Sequence, residues 1–470
     1  MKGWRKPTVG LIVGNRNFFP DALVEEGRRR ILDVLQGAGI EVVTLSPEDT
    51  KFGAVERRGD AEKCARLFRE HAEEIEGIII TLPNFGDERA AAEAVRLSGL
   101  EVPILVHAFP DELDKLDLDH RRDAFCGKIS LCNNLNQFGI KFTDTTLHVE
   151  APESQEFKKD LEDFLAICRV VKGLRTARLG AVGVRPTAFN TVRYSERLLE
   201  SYGITVETLD LSEVIARANK LDRGSPEVKR ELERLRGTFQ LEGTPDEALG
   251  KMARLSAVLR EWIEAEEIDA FAFQCWTAIE EIYGIVPCAV MSLFSESGVP
   301  AACEVDVMGA LAMYVLELAS GQPAALMDWN NNFGDDPDKV ILFHCSNFPP
   351  SFFASCKMSY QHIIAGTVGR ENTYGTVVGK VSPGPATFLR LSTFDTEGRV
   401  AGVVAEGSFT DDEVETFGGY GVARIPGLRS LLHRIVRKGF EHHVAVTKAH
   451  VGRAVREALK TYLAWEVSPS

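Results

Sequence analysis

Three acidic residues and a histidine occupy otherwise apolar segments between residues 300 and 347. Glu304 and Asp306 lie in CEVDVMGAL, while Asp328 lies in AALMDW and His344 in VILFHC. An isolated carboxylate is costly to bury unless it is paired, protonated or bound to a metal. Carboxylates and an imidazole on successive buried segments therefore predict the ligands of one divalent cation. An oxygen-rich site with one or two imidazoles suits Mn²⁺ or Mg²⁺, with Co²⁺ as a substitute.

The segments around these residues predict how they are positioned. The run from Val305 to Leu318 is apolar almost all round, which is typical of a buried helix. Glu304 is expected in the first turn of that helix, where the helix dipole favours an anion. AALMDW and KVILFHCSNF are predicted strands, so His344 faces the side opposite to its two neighbours. Asp306 is expected to point away from Glu304, and either to be paired structurally or to orient a ligand.

The first third of the chain alternates apolar strands with amphipathic helices. TVGLIVG, EVVTLS, GIIITLP and VPILVHA are the predicted strands, and this pattern is typical of a parallel sheet covered on both faces. Ligands bind at the carboxyl ends of such strands, where Asn15, Arg16, Asn84 and His107 lie. We predict substrate contacts for Arg16 and Asn84 and a structural role for His107. The first turn, GLIVGNRNFF, lacks the GxGxxG spacing of a dinucleotide site, and no GxxxxGK[ST] occurs.

A second alternation of strands and helices follows residue 173. Arg185 and Asn190 come just after the strand TARLGAVGV, and Gln274 and Trp276 come just after IDAFAF. An indole face beside a polar side chain suits a sugar, so these four residues are predicted to bind substrate; the alternative is that Trp276 belongs to the core. Two such lobes also fit a periplasmic-type sugar-binding fold, so the pattern does not by itself indicate an enzyme.

Composition limits the class of protein. A chain of 470 residues predicts two or three domains. The 54 basic and 69 acidic residues give a net charge of −15 without a concentrated basic face, which argues against a nucleic-acid partner. Nine single cysteines without a CxxC motif argue for a reducing compartment. No apolar run approaches the roughly 20 residues that cross a bilayer. A soluble, cytoplasmic protein without a membrane partner is predicted.

Several motifs in the last two thirds point to a known family. The segments CEVDVMGAL, MDWNNN, FHCSN, VSPGPATFLRLS and GFEHHVAVTKAHVGRAVREAL resemble the L-fucose isomerase and L-arabinose isomerase superfamily, in the style of its shorter fucose isomerase-like branch. The likeness covers essentially the whole chain and is strongest from residue 270 onward. It implies an α/β fold with two Rossmann-like parallel-sheet domains, 1–172 and 173–330. A C-terminal antiparallel domain, 331–470, follows; it is predicted to be barrel-like and to end in a helix.

The resemblance also implies an activity and a set of site residues. Glu304 and Asp328 correspond to the metal-binding acids, and His344 corresponds to a ligand. The paired histidines of the family correspond to His442 and His443. Neighbours on a strand face opposite sides, so only one is expected to enter the site, and His443 is the predicted ligand. The implied reaction is aldose–ketose isomerisation of an open-chain sugar through an ene-diol with Mn²⁺, with the two acids as the acid/base pair.

Two alternatives stay open at this point. The substrate can instead be a sulfonated or phosphorylated sugar, which a basic residue among Arg16, Arg185 and Arg390 would contact. The two lobes can also belong to a non-catalytic sugar-binding or regulatory protein, although such a protein has no reason to keep the set of acids and histidines. The resemblance further implies a homo-trimer or homo-hexamer, in which a neighbouring N-terminal domain closes the pocket.

Overall fold

A computed structural model describes residues 6–241, 243–345 and 347–469 of the chain. Their contacts divide these residues into two units. The N-terminal unit comprises residues 6–172 together with 457–464, and the C-terminal unit comprises residues 173–456 together with 465–469. The chain therefore leaves the C-terminal unit late, contributes to the N-terminal unit, and returns. The predicted division into three domains, with boundaries at residues 172 and 330, stays a prediction.

The N-terminal unit contains one parallel sheet covered by helices. Its strands are β1 (Thr8–Val13), β2 (Glu41–Thr44), β3 (Gly77–Leu82), β4 (Ile104–Ala108) and β5 (Thr143–Asp144). Its helices are α1 (Asp21–Gly37), α2 (Arg58–Glu70), α3 (Glu88–Ser98), α4 (Ala124–Gln137) and α5 (Gln155–Leu174). The strand order is β2-β1-β3-β4-β5. Every residue of β1 and β3 is buried, because Ile78 and Ile80 pack into one apolar cluster and Ile79 into another.

Residues 457–464 complete the N-terminal unit. They include a π-helical turn, Ala458–Tyr462. The phenol oxygen of Tyr462 donates to the carbonyl of Ile104 and accepts from the amide of the same residue, both at 3.1 Å. The hydroxyl of Thr143 lies 2.9 Å from that phenol oxygen. Strands β4 and β5 are therefore bonded to a side chain that is very distant in sequence.

The C-terminal unit begins with a second parallel sheet. Its strands are β6 (Arg178–Val182), β7 (Thr205–Leu209), β8 (Ala270–Phe273) and β9 (Ala301–Cys303), in the order β7-β6-β8-β9. The helices of this part are α6 (Glu196–Glu200), α7 (Leu211–Lys220), α8 (Pro226–Thr238), α9 (Asp246–Ala265), α10 (Ala278–Ile282), α11 (Cys288–Glu296) and α12 (Val307–Ser320). The two parallel sheets confirm the predicted mixed α/β class.

A large mixed sheet occupies the rest of the C-terminal unit. Its strands are β10 (Ala324–Asn332), β11 (Lys339–His344), β12 (Lys357–Tyr360), β13 (Tyr374–Lys380), β14 (Gly384–Phe394), β15 (Arg399–Phe409), β16 (Gly419–Arg424), β17 (His443–Thr447) and β18 (Glu466–Pro469). The helices are α13 (Ala365–Val368), α14 (Leu428–Lys438) and α15 (Gly452–Glu457). The order is β12-β13-β16-β11-β10-β17-β14-β15-β18, and β15 also pairs with β16. The predicted barrel stays a prediction.

Helix α12 is the buried apolar helix that the sequence predicted. Eleven of its fourteen residues are buried, and it contacts β14 and β17 of the mixed sheet as well as β8 and β9 of the parallel sheet. It thus packs against both sheets of the C-terminal unit. Within the ranges that the structure describes, no helix is both long and apolar enough to cross a bilayer.

Helix α10 contains a buried carboxyl group without a partner. The side chain of Glu280 is fully buried, and neither of its carboxyl oxygens accepts a hydrogen bond from any described residue. Burial raises the pKa of Glu280 to about 8, because the charged form loses its hydration. The folded protein therefore holds a proton on Glu280 at neutral pH, whereas the unfolded chain, with a pKa of about 4.3, does not.

Glu280→Gln is expected to remove a pH-dependent loss of stability. From about pH 5 to pH 8 the folded state binds a proton that the unfolded state releases, so wild-type stability falls as pH rises. An amide does not titrate, and relative to wild type the variant should gain about 3 kcal/mol of unfolding free energy between these two pH values. Urea unfolding at each pH measures it. Glu281→Gln, at the exposed neighbour in the same helix, is the control; parallel curves for all three proteins would contradict the prediction.

Candidate metal centre

Three adjoining strands of the mixed sheet hold the acid and histidines that stand out in the sequence. Strand β10 lies between β11 and β17. Asp328 of β10 pairs with Phe343 of β11 on one side and with His443 of β17 on the other. His344 is the next residue of β11, so the register brings Asp328, His344 and His443 together. Glu304 joins them from the loop that follows β9.

The polar atoms of these residues converge. Nε2 of His443 lies 3.0 Å from Oε2 of Glu304 and 3.5 Å from Oδ1 of Asp328. One ligand atom each from Glu304, His344 and His443 lies within 4.8 Å of the others. Glu304, His344 and His443 are buried, whereas the side chain of Asp328 is 25% exposed. We call this group of four residues the centre.

The donor set of the centre fits a divalent cation. Oε2 of Glu304 and Oδ1 of Asp328 are buried, and their nearest charged neighbour is Nε2 of His443, at 3.0 and 3.5 Å. Two buried carboxylates beside a single imidazole are costly unless a further cation neutralises them. Carboxylate oxygens with imidazole nitrogens are ligands that Mn²⁺ and related ions accept in proteins. The residues can therefore hold a metal ion.

The backbone places Glu304 differently from the sequence prediction. The helix begins at Val307 rather than Val305, so the expectation that Glu304 lies in its first turn is wrong. Glu304 and Val305 have φ angles of 60° and 56°, in the left-handed region that a β-branched valine rarely adopts. This turn aims Glu304 at β17 before the helix starts. Such strain persists only where the surrounding structure enforces it, and it concentrates at functional sites.

Asp306 orients His443 from outside the centre. Its Oδ2 accepts a hydrogen bond from Nδ1 of His443 at 2.8 Å, which leaves Nε2 facing Glu304. Its Oδ1 also accepts from the amide of Gly309 at 2.8 Å and so caps α12. Asp306 thus combines the two roles considered for it: it is paired structurally with Arg390, and it orients His443, an arrangement typical of metal-binding histidines.

Arg390 supports Asp306 in turn. Its Nη1 and Nη2 lie 2.5 and 3.2 Å from the two carboxylate oxygens of Asp306, and its Nε lies 2.8 Å from Glu441. The arginine side chain is only 2% exposed. A buried chain of charges thus runs from Glu441 through Arg390 and Asp306 to His443. Arg390 is committed to this chain, which excludes it as the contact for an anionic substrate group.

The charges of the centre shift its pKa values strongly. Burial opposes a charge on His443, but the hydrogen bond to Asp306 and the negative charge of Glu304 outweigh it and raise the pKa of His443 to about 10. Burial likewise opposes the charge on Glu304, but His443 and the indole hydrogen bond of Trp276 hold the pKa of Glu304 at about 2. Glu304 is therefore a carboxylate at neutral pH. A metal ion must displace the proton of His443 in order to bind Nε2.

Four of the residues predicted to bind substrate lie in the loops that follow strands β6 and β8. Nε1 of Trp276 donates to Oε1 of Glu304 at 3.0 Å, so the indole holds one residue of the centre in position. Oε1 of Gln274 accepts from the amide of Val184 at 2.9 Å. Nη1 of Arg185 donates to Oδ1 of Asn190 at 2.9 Å, which joins the two ends of the loop after β6. Their predicted contacts with substrate stay predictions.

Phe189 is a site residue that the sequence interpretation missed. Its ring centroid lies 5.8 Å from that of Trp276, 5.5 Å from that of His442 and 5.9 Å from that of His443. It therefore covers the centre with an apolar face. The available signal was an aromatic residue next to Asn190 in a loop at the carboxyl end of a strand.

His442 also reaches the centre. Its Nε2 lies 3.7 Å from Oδ1 of Asp328, and its ring centroid is 4.4 Å from that of His443. Asp328, His442 and His443 form a second group of ligand atoms within 4.8 Å of one another. Both paired histidines therefore lie at the site, and the prediction that only His443 is a ligand stays a prediction. Strand alternation does not apply, because β17 begins at His443 and His442 precedes it.

Arg16 and Asn84 lie in the N-terminal unit, whereas the centre belongs to the C-terminal unit. The amide of Arg16 donates to Oδ1 of Asn84 at 3.3 Å, and the guanidinium of Arg16 forms an ion pair with Glu88. Both ring nitrogens of His107 are hydrogen-bonded within this unit, and burial lowers its pKa to about 3. The substrate contacts of Arg16 and Asn84 stay predictions.

The chain matches two family models. The model of the fucose/sulfoquinovose isomerase N-terminal domain matches residues 10–175, and that of the L-fucose isomerase C-terminal domain matches residues 342–469. The sulfoquinovose isomerase of Priestia aryabhattai is 30% identical over 198 residues, which are 41% of this chain and 43% of that protein. The sulfoquinovose isomerase of Alkalicoccus urumqiensis is 24% identical over 314 residues, which are 65% of this chain and 68% of that protein. The chain thus spans less than half the length of the Priestia relative in their match.

A solved structure shows only a remote likeness. A periplasmic solute-binding protein from Actinobacillus succinogenes with bound D-allose is 11% identical, and the match covers 67% of this chain and 93% of that chain. The TM-score is 0.18, which is too low to carry an argument.

Proposed function

The chain belongs to the fucose isomerase-like superfamily, and on that premise we propose that it is a metal-dependent aldose–ketose isomerase of an open-chain sulfonated sugar. The observation that carries the proposal is the convergence of two buried carboxylate oxygens, from Glu304 and Asp328, on the same nitrogen of His443. A protein that only binds a sugar has no need of such a costly arrangement. The relatives named sulfoquinovose isomerase support sulfoquinovose as the substrate.

The carboxylates of the centre suit the proton transfers of this reaction. Aldose–ketose interconversion moves one proton between C1 and C2 and another between the two oxygens. Glu304 and Asp328 both lie within 3.5 Å of Nε2 of His443, so one can accept the proton at carbon while the other serves the oxygens. Trp276 holds Oε1 of Glu304 and leaves Oε2 for the centre. The ring of Phe189 contacts those of His442 and His443.

Glu304, Asp328, His344 and His443 would hold the metal ion, with Mn²⁺ as the ion that we propose and Mg²⁺ or Co²⁺ as alternatives. A bound divalent cation supplies Lewis-acid polarisation of the carbonyl and stabilises negative charge on the substrate oxygens. Asp306 and Arg390 keep Nε2 of His443 available for it.

The reaction can be tested in D₂O. Protein supplied with Mn²⁺ and sulfoquinovose should form the corresponding ketose and place solvent deuterium on the carbon that exchanges a proton, because an ene-diol route passes that proton through a carboxyl group whose proton exchanges with solvent. Mass spectrometry and NMR of the product read both outcomes. Ketose formed without any solvent label would contradict the ene-diol path, and the absence of ketose would contradict the substrate.

We also propose a cytoplasmic homo-oligomer, a trimer or hexamer. The N-terminal unit exposes large apolar side chains that a neighbouring copy would cover: Phe18, Leu113, Leu118, Phe125 and Ile129. Leu113 and Leu118 are each 91% exposed. Light scattering coupled to gel filtration should give about three or six times the chain mass of 51.8 kDa. A mass that stays at one chain over a wide concentration range would contradict the oligomer.

A further inference from the structure

Arginines 16, 185 and 390 are the three candidates for contacting an anionic group of the substrate, and their surroundings differ. Arg390 is buried between the carboxylates of Asp306 and Glu441. Arg16 forms an ion pair with Glu88 in the N-terminal unit. Arg185 is half-buried and forms no ion pair with any residue that the structure describes. Of the three guanidinium charges, only that of Arg185 is left without a carboxylate.

Arg185 is held in place while most of its donors are unused. Its Nη1 donates to Oδ1 of Asn190 at 2.9 Å and lies 3.5 Å from the carbonyl of Thr187. A guanidinium has five N–H donors, and both contacts involve Nη1. Nε and Nη2 therefore have no partner among the described residues. A planar fork of free, charged donors suits a sulfonate, whose oxygens carry the negative charge as those of a phosphate do.

The loop from Gly183 to Asn190 contains both Arg185 and Phe189, which contacts the centre. On one side of Arg185, the amide of Val184 bonds to Gln274, and a Cβ at Gly183 would collide with that glutamine. On the other side, the ring of Phe189 contacts Trp276, His442 and His443. The loop is therefore anchored on both sides of the arginine.

We propose that Arg185 binds the sulfonate of the substrate and so determines specificity for a sulfonated over a neutral sugar. The inference rests on the proposed function, because it assumes that the C1–C2 end of the sugar reacts at Glu304 and Asp328. The sulfonate, at the opposite end of the sugar chain, then lies several carbons away from the centre. It meets the nearby loop, where Arg185 offers uncommitted donors and Asn190 holds them in position.

Direct binding tests the inference independently of turnover. Titration calorimetry with sulfoquinovose, and with quinovose as the same sugar without the sulfonate, compares wild type with Arg185→Gln. The variant should bind sulfoquinovose roughly tenfold to a hundredfold more weakly, since it loses charge-assisted hydrogen bonds, and should bind quinovose unchanged. Arg185→Lys should recover part of the loss. Equal affinity of wild type and Arg185→Gln for sulfoquinovose, or no binding by wild type, would overturn the inference.

Arg193→Gln is the matched control. Arg193 is an exposed arginine just beyond the same loop, and its Nε lies 3.3 Å from the carbonyl of Asn190. The Arg193→Gln variant should bind sulfoquinovose as tightly as wild type does. A loss of affinity equal to that of Arg185→Gln would overturn the assignment to Arg185. If sulfoquinovose binds in an Arg185-dependent way but forms no ketose, the proposed reaction fails while the inference stands. Unchanged urea unfolding of each variant excludes a folding defect.

Discussion

Replacing Glu304 by Gln is expected to lower kcat for ketose formation roughly a thousandfold or more, with the fold intact. The amide cannot accept a proton from carbon, and it contributes no negative charge beside His443. The two atoms concerned, Oε2 of Glu304 and Nε2 of His443, are only 3.0 Å apart, so the loss of charge acts directly on the centre. Initial rates at saturating Mn²⁺ and sulfoquinovose measure the effect.

Binding of Mn²⁺ by Glu304→Gln separates two contributions to the loss. Electron paramagnetic resonance of free Mn²⁺ should show weaker binding than in wild type, because a charged oxygen ligand has been replaced by a neutral one. Glu281→Gln, at an exposed glutamate of α10, is the control and should retain full activity. A Glu304→Gln protein with near-normal kcat would remove Glu304 from the chemistry and, with it, the central claim of the proposed function.

Arg390→Gln is expected to lower the free energy of unfolding by about 3–5 kcal/mol, because removing one partner of a buried ion pair leaves an uncompensated buried charge. Here two carboxylates, Asp306 and Glu441, would lose the same cation. Chemical unfolding followed by fluorescence or circular dichroism measures the change. Mn²⁺ affinity should fall as well, since Asp306 would no longer be held on Nδ1 of His443.

A triple variant tests whether unpaired charge causes the loss of stability in Arg390→Gln. Arg390→Gln combined with Asp306→Asn and Glu441→Gln removes all three charges at once, and asparagine can still cap α12. This protein should be more stable than Arg390→Gln alone, because no buried charge is left without a partner. A triple variant that is less stable than the single one would show that packing, rather than charge, dominates at Arg390.

The local part of the centre could be predicted from the sequence. AALMDW and VILFHC are short apolar runs with one polar residue each, and such runs form buried strands, so Asp328 and His344 had to lie at the edge of an apolar core. The apolar stretch of α12 was equally clear. In each case the residues that decide the outcome lie within a few positions of one another.

The parts that could not be predicted depend on distant residues. The hydrogen bond from His443 to Asp306 spans 137 positions, and the ion pair of Arg390 with Asp306 spans 84. No local sequence pattern encodes the strand register that brings these distant residues together. The left-handed turn at Glu304 was hidden because valine ordinarily avoids that conformation, so the sequence suggested a helix two residues too early. Phe189 was hidden because an aromatic residue in a loop has no periodicity to interpret.

The return of residues 457–464 to the N-terminal unit has a consequence for biosynthesis. Tyr462 bonds to Ile104 and Thr143, so the native surroundings of β4 and β5 are incomplete until that residue has left the ribosome. Domains generally fold as units during translation, in order from the N-terminus. This chain must instead hold its first unit in an unfinished state while the second is made. A nascent chain stalled before residue 457 should therefore be more sensitive to protease within residues 100–150 than the released protein.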